Sequence, residues 1–250
     1  MAQIQGKWQL RGAGPGIYGL WQDRGMTEQR LMPDAGRLVV AILGGTGDEG
    51  RGLARWLAAA GNPVLIGSRS AQRAADAAAA LGGGPAIMGM LNEQAARQAD
   101  LAIVAVPYAG HRELLASLAG PLAGKIVIDC VNPLGFDSHG AYPLRVAEGS
   151  AAEQAAAVLP DSVVVGAFHH VSAVLLLDPN ITEIDLDILV LGDDRQATDL
   201  VQALAARIPG ARGVYAGRLR NCHQIEALTA NLVSINRRYK SHAGLRITDV

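Results

Sequence analysis

The chain has 250 residues, half of them hydrophobic and 18% charged, with 22 basic residues against 23 acidic and a net charge of -1. That is enough apolar material for one large α/β domain, or for a dinucleotide-type domain with a smaller one appended, and it excludes intrinsic disorder. Charge balance removes the electrostatic case for nucleic acid or an anionic membrane, and an aromatic content of 4% removes the case for a base-stacking platform.

Residues 1–37 hold Trp8 and Trp21 and show no sustained period of 2 or 3.6, so a loosely ordered extension is expected there. The compact pattern starts with the apolar run LVVAIL (38–43), a buried strand ending in Gly-Gly. A helix follows over 48–60, with Leu53, Trp56, Leu57 and Ala60 on one face, and Gly61-Asn62-Pro63 breaks it. PVLIGS is a second strand, and AQRAADAAAALGGG an Ala-rich helix closed by glycines. Next come a short strand (86–88), a helix (92–98), the strand LAIVAV (101–106), a helix from about 110 to 118, and the strand KIVIDC (125–130). Strands alternating with helices of this length predict βαβ units and a parallel sheet. Further on, SAAEQAAAVLP and DRQATDLVQALAARI read as helices, the second capped by Asp194. VVVGAFHHV, DLDILVLGDD and GVYAGRL read as strands, and 221–239 as a long final helix. Residues 38–175 are expected to form one domain and 176–250 a smaller C-terminal α/β domain.

No apolar run reaches the ~18 residues of a membrane span. The N-terminal segment has no signal-peptide core, so a cytoplasmic location is expected. Cys130 and Cys222 make neither a disulfide framework nor a zinc site and read as buried thiols.

The most specific local signal is Gly45-Thr46-Gly47-Asp48-Glu49-Gly50, a G-x-G-x-x-G between a strand and a helix. Gly45 permits the turn, Gly47 lets backbone approach a pyrophosphate, and Gly50 lets the helix pack on the strand. The N–H groups and positive dipole end of that helix then face the phosphates. A carboxylate for ribose hydroxyls is expected at the end of the second strand, about 20 residues on. Here Ser68 and Arg69 stand there instead, with Arg73 four residues further, sharing a helix face with Arg69 if the helix has begun. A hydroxyl and guanidinium forks suit a 2′-phosphate, which points to NADP(H) rather than NAD. Adjacent His169 and His170 point opposite ways on leaving a strand, so no metal site is expected. No catalytic triad, metal motif or nucleophile elbow is visible.

From Leu38 onward these motifs, together with Val-Pro-Tyr (106–108), VNPLGF (131–136), VVGAFHHVSA (164–173) and the stretch from AGRLRNCHQIEALTANLVSINRRY to the end, resemble the NADPH-dependent coenzyme F420 reductases. The resemblance implies a Rossmann-like doubly wound sheet and hydride transfer between NADP(H) and the deazaflavin coenzyme F420. It assigns Thr46, Gly47, Asp48 and Glu49 to the pyrophosphate and Ser68, Arg69 and Arg73 to the 2′-phosphate. Pro107, Tyr108 and Ala173 become further cofactor contacts, and His169, Val171 and Thr229 surround the nicotinamide and deazaflavin rings. Archaeal members have Trp where Tyr108 stands and His-Thr-Ile-Pro where this chain has His169-His170-Val171-Ser172. A homodimer is implied, with ALTANLVSI (227–235) as a possible interface. The basic cluster Arg237, Arg238, Lys240 and Arg246 reads as a solvated helix end, with guidance of an anionic substrate by part of it as the alternative. Three alternatives stay open: a flavin reductase of the same fold, a β-hydroxyacid or imine reductase, and a dinucleotide-sensing protein.

Overall fold

The computed structural model describes residues 34–250. The extension expected over residues 1–33, with Trp8 and Trp21, lies outside the described residues. Residues 34–37, expected to belong to it, form a capped 3-10 turn (Ala35–Arg37) with Ala35 buried. Asn62 Nδ2 holds this turn to the fold by donating to the Ala35 and Leu38 carbonyls at 2.7 and 3.0 Å.

The elements then follow the expected order: β1 (Val40–Leu43), α1 (Asp48–Ala59), β2 (Val64–Ser68), α2 (Ala71–Ala80), β3 (Ile87–Leu91), α3 (Asn92–Gln98), β4 (Leu101–Val104), α4 (His111–Leu122) and β5 (Ile126–Asp129). After β5 come β6 (Leu134–Asp137), β7 (Gly140–Pro143), α5 (Ala151–Val158), β8 (Val163–Gly166), α6 (Ala173–Leu177), β9 (Leu186–Gly192), α7 (Arg195–Ala205), β10 (Ala211–Gly217) and α8 (Cys222–Tyr239). Asp194 caps α7 as its position predicts, its side chain accepting from Ala197 N at 2.8 Å. Three short elements escape the periodicity: the β6–β7 hairpin and α6 have four or five residues each, too few to establish a repeat.

Among the described residues, eight strands form one sheet in the order β10-β9-β8-β5-β4-β1-β2-β3. Because side chains alternate across a strand, each strand feeds two cores. Val40, Ile42, Ile66, Ile103 and Ile128 pack with α1, α2 and α7 on one face. Ala41, Leu43, Leu65, Val104 and Val127 pack with α3, α4 and α5 on the other. The sheet is therefore doubly wound, which explains why its strands read as continuous apolar runs. Cys130 and Cys222 are both free and buried.

The sheet departs from the expected all-parallel pattern at one junction. β8 and β9 pair antiparallel, through Val165↔Gly192 and Gly166↔Leu191. Strand direction relative to a neighbour is set by how the connection travels, which local pattern does not encode. Only the end of β9 meets β8, so Leu186–Val190 run past the end of β8 as a wall beside residues 167–173. His170 Nε2 reaches that wall, bonding the Asp187 carbonyl at 2.8 Å. β10 continues the sheet parallel to β9.

Lys125 is buried at the start of β5 and closes the C-terminal end of α3, its ammonium donating to the Ala96, Arg97 and Ala99 carbonyls at 2.5, 3.0 and 2.7 Å. On the opposite face α1 and α6 touch backbone to side chain. A Cβ at Gly52 would overlap the Leu176 Cβ, and Trp56 Nε1 donates to the Leu176 carbonyl at 2.9 Å. Gly52→Ala should thus destabilise the protein by roughly 1–3 kcal/mol through overpacking, although Ala favours a helix interior by about 1 kcal/mol over Gly. Chemical denaturation measures the sign, and a stabilised variant would mean that the two helices separate freely.

Candidate functional site

The parallel strands β1, β2, β4, β5 and β8 all end at one edge of the sheet. The chain reverses its winding between β1 and β4, and that switch point is where an open α/β sheet leaves a crevice. The candidate cofactor and ring residues lie at this edge, on its loops and 3-10 turn, at the end of β2 (Ser68) or in the first turns of α1 (Asp48, Glu49), α2 (Arg73) and α6 (Ala173), except Thr229 on α8.

At the β1 end the backbone turns tightly, with Gly45 N donating to the Ile42 and Gly67 carbonyls at 3.2 and 3.0 Å. Gly47 is the N-cap of α1, and no side chain caps that helix. A Cβ at Gly47 would meet nothing within 4 Å, whereas one at Gly50 would lie 2.5 Å from the Gly45 Cα. The loop is thus packed against the helix on one side and open on the other. Its free N–H groups and dipole face that opening, which fits a pyrophosphate. Asp48 is exposed and paired with Arg51 at 2.6 Å. Glu49 is only half-exposed overall, but its Oε1 is enclosed with no hydrogen-bond partner among the described residues, and burial pushes its carboxyl up to about 8.

At the β2 end Ser68 is buried, its Oγ accepting from Ser70 N at 3.3 Å. Arg69 and Arg73 are exposed and pair with no carboxylate among the described residues. The shared helix face does not arise. Ser70 caps α2, so Arg69 sits in the loop before the helix and Arg73 in its first turn, with Arg73 N donating to Ser70 Oγ at 3.4 Å. The two cations still flank one strand end, a place that suits a phosphomonoester.

Between these loops and β5, Pro107 and Tyr108 open a 3-10 turn (Tyr108–Gly110) ahead of α4. Pro107 is exposed and Tyr108 half-buried. Beyond β8, Phe168 is fully buried with φ 64, in the left-handed region that a bulky residue rarely enters. That strained residue turns the chain so that residues 169–173 cross the strand ends and lead into α6. His169 and Val171 do not offer their side chains to the open crevice, since both are buried. What His169 presents is its carbonyl, which accepts from Asn132 Nδ2 at 2.8 Å and Thr229 Oγ1 at 3.0 Å. Among the described residues neither ring nitrogen of His169 has a hydrogen-bond partner, and burial pulls its pKa down to about 4, so the imidazole is neutral. Ala173, half-buried, begins α6.

The basic C-terminal cluster splits in two. Arg237, Arg238 and Lys240 are exposed. Arg246 is instead committed to ion pairs with Asp185 and, at 2.9 Å, with the fully buried Asp187. Asp187 also takes both arms of Arg212 at 2.7 and 2.8 Å and the Ile247 N–H at 2.6 Å. The Arg212 guanidinium above all holds the Asp187 carboxyl below its ordinary pKa. Arg246 thus straps the C-terminal segment to β9 and is not available to guide an anion.

Several polar residues of this region carry no motif. Asn132 lies inside VNPLGF without a role suggested by residue type. Asp129 and His111 are both fully buried and 2.6 Å apart. A carboxylate ending the apolar run IVID was the available clue, because an acid at a buried strand end demands a partner. Glu226 on α8 is the fourth, its carboxylate accepting from Ala151 and Ala152 N at 2.9 and 3.1 Å and so capping α5 from another element. Burial, opposed by those two bonds, raises its pKa to about 7.

A family model described as NADP oxidoreductase coenzyme F420-dependent matches residues 39–133. The F420-dependent NADP reductase of Methanothermobacter marburgensis is 39% identical over 222 residues, covering 84% of this chain and 98% of the relative. That of Methanocaldococcus jannaschii matches with the same identity and coverage, 39% over 84% of this chain and 98% of its own length. Among solved structures, a chain from Arthrobacter sp. FB24 assigned as an F420-dependent NADP reductase superposes with a TM-score of 0.73 at 27% identity, over 84% of this chain and 98% of its own. With nearly the full length of its relatives matched at this identity, the chain belongs to the family of F420-dependent NADP reductases.

Proposed function

We propose that this chain is an oxidoreductase that transfers a hydride between NADP(H) and the deazaflavin coenzyme F420. The observation that carries the reading is the pairing of an uncapped, glycine-opened helix N-terminus with a β2 end that bears Ser68, Arg69 and Arg73 and no acid, in a chain of this family.

The nicotinamide, when bound, supplies or takes the hydride at C4 and the deazaflavin exchanges it at C5, so both electrons move together. The protein's part is binding, alignment and exclusion of water. Gly45, Thr46, Gly47, Asp48 and Glu49 hold the pyrophosphate at the α1 N-terminus, and Ser68, Arg69 and Arg73 grip the 2′-phosphate. Pro107, Tyr108 and Ala173 line the nicotinamide side. His169, Val171 and Thr229 shape the deazaflavin side, with the His169 carbonyl fixed by Asn132 and Thr229 and the Val171 side chain packed beneath the loop. No residue is assigned to proton transfer, because a hydride passing between two carbons needs no general acid or base.

In the same reading residues 38–175 hold NADP, and residues 176–250 complete the deazaflavin side and supply a homodimer contact. Residues 227–235 on α8 are the proposed interface, supported by the exposed Ile235 and by Tyr239 one turn on. The cytoplasm is the proposed location, and among the described residues no helix is long and apolar enough to cross a membrane.

Purified protein mixed with NADPH and oxidised F420 should bleach the deazaflavin absorbance. Turnover of FMN or FAD with none of F420 would replace this reading by a flavin reductase. Arg69→Ala should raise the KM for NADPH about tenfold or more while moving that for NADH less than about twofold, as loss of a charge-assisted phosphate contact requires. Equal effects on both would refute the clamp. Glu49 gives a pH signature. Its carboxyl is neutral below its pKa of about 8 and becomes an anion beside the phosphates above it. NADPH affinity should therefore fall between about pH 7 and 9 in the wild type and stay flat in Glu49→Gln; a fluorescence titration that falls in both places the titrating group elsewhere.

A further inference from the structure

We infer that His111 is a positioning residue for hydride transfer, holding the Tyr108 turn and the Asn132–His169 loop at a fixed separation through a buried charged network. The inference rests on the coenzyme reading above and concerns how the two halves of that site are kept in register.

His111 opens α4 and is fully enclosed. Its Nε2 lies 2.6 Å from Asp129 Oδ2 at the end of β5, and its Nδ1 lies 3.0 Å from Gln154 Oε1 on α5. The orientation of the Gln154 amide follows from its other neighbour. Glu148 Oε2 sits 3.1 Å from Gln154 Nε2, so the amide NH2 must face that carboxylate and the amide oxygen must face the histidine. Both partners of His111 are then acceptors, both ring nitrogens donate, and the ring is an imidazolium. Burial would pull its pKa down, but the hydrogen bond and charge of Asp129, with help from Gln154, outweigh burial and leave the pKa raised. The second oxygen of Asp129 accepts from Val131 N at 3.0 Å. A buried ion pair whose bonds are filled in this way is rigid while intact and costly to break by removing one member.

The network is placed between the two groups of residues assigned to the two rings. On the nicotinamide side the Tyr108 ring stacks on His111, with centroids 6.3 Å apart and planes at 30°, and Gln154 Nε2 reaches Tyr108 Oη at 3.5 Å. On the deazaflavin side Asp129 fixes Val131, and the next residue, Asn132, donates to the His169 carbonyl that Thr229 also holds. A continuous path of side chains, completed by the Val131–Asn132 backbone, thus joins the 3-10 turn after β4 to the loop after β8 across the end of β5. Hydride transfer is sensitive to ring separation, since misplacement by about 1 Å costs on the order of a hundredfold. A network spanning both walls sets that distance without touching either coenzyme.

The test is His111→Gln, whose amide can still reach Asp129 but which carries no charge and loses Gln154. Two quantities are read: the single-turnover rate of deazaflavin bleaching with both coenzymes saturating, and NADPH affinity from nicotinamide fluorescence. The rate should fall about tenfold or more while NADPH affinity changes less than about twofold, a split expected from misalignment and not from a lower folded fraction. Gln154→Leu keeps the ion pair but cuts the link to Tyr108, and should slow the same step by roughly threefold. A folded His111→Gln with the wild-type rate overturns the inference. If that variant does not fold, an unchanged rate in Gln154→Leu overturns it instead. A wild type inactive with F420 overturns the coenzyme reading first, and this inference with it.

Discussion

Helix α1 meets its surroundings through backbone where most helices would use side chains, and the crevice depends on that contact. At Gly50 the helix lies against Gly45 of its own preceding loop, with no room for a Cβ between them. At Gly52, on the flank, it lies against Leu176 of α6, the helix that ends the His169–Ala173 loop. The first contact aims the uncapped helix N-terminus at the strand edge. The second fixes the loop that closes the far side, and the Trp56 and Arg55 bonds to the Leu176 carbonyl tighten it. One helix therefore indexes both walls, and a side chain at either glycine would move them apart.

Several of the buried polar groups share a position, at or against the end of an element. Lys125 closes α3, Glu226 caps α5 from α8, Asp129 ends β5, and Asp187 near the start of β9 gathers Arg212, Arg246 and the C-terminal segment. Element ends are where backbone groups lack partners, so a charge there satisfies groups that burial would otherwise leave unpaired. The same economy holds the His169 carbonyl between Asn132 and Thr229. In this molecule the charged interior organises loops, while the apolar interior on both sheet faces supplies most of the driving force for folding.

The parts legible in sequence were those that repeat or that depend on a residue's intrinsic chemistry. Apolar runs located the strands of the main sheet, alternation with Ala-rich helices predicted a parallel sheet, and Trp56 fell on the buried face as its spacing required. The glycine pattern marked the tight turn before α1 because Gly45 and Gly50 answer local steric demands, and the missing acid after β2 argued for a 2′-phosphate. The β6–β7 hairpin and α6 escaped because a segment of four or five residues carries too little period. Arg246 was grouped with its basic neighbours because a cluster in sequence shows charge but not partners, and Asp185 and Asp187 lie about 60 positions away.

What the sequence determined by itself was therefore the strands of the main sheet and the longer helices, the glycine-rich turn before α1, the cationic end of β2 and, through ordered motifs, the family. Those rest on interactions within one strand–loop–helix unit. The tertiary structure alone decided the reversal at β8–β9, the left-handed turn at Phe168, the inward burial of His169 and Val171, and the ion pair of His111 with Asp129. Each joins segments distant in the chain, so its energy exists only after the sheet has brought their ends to one edge, and no local pattern of residues records it.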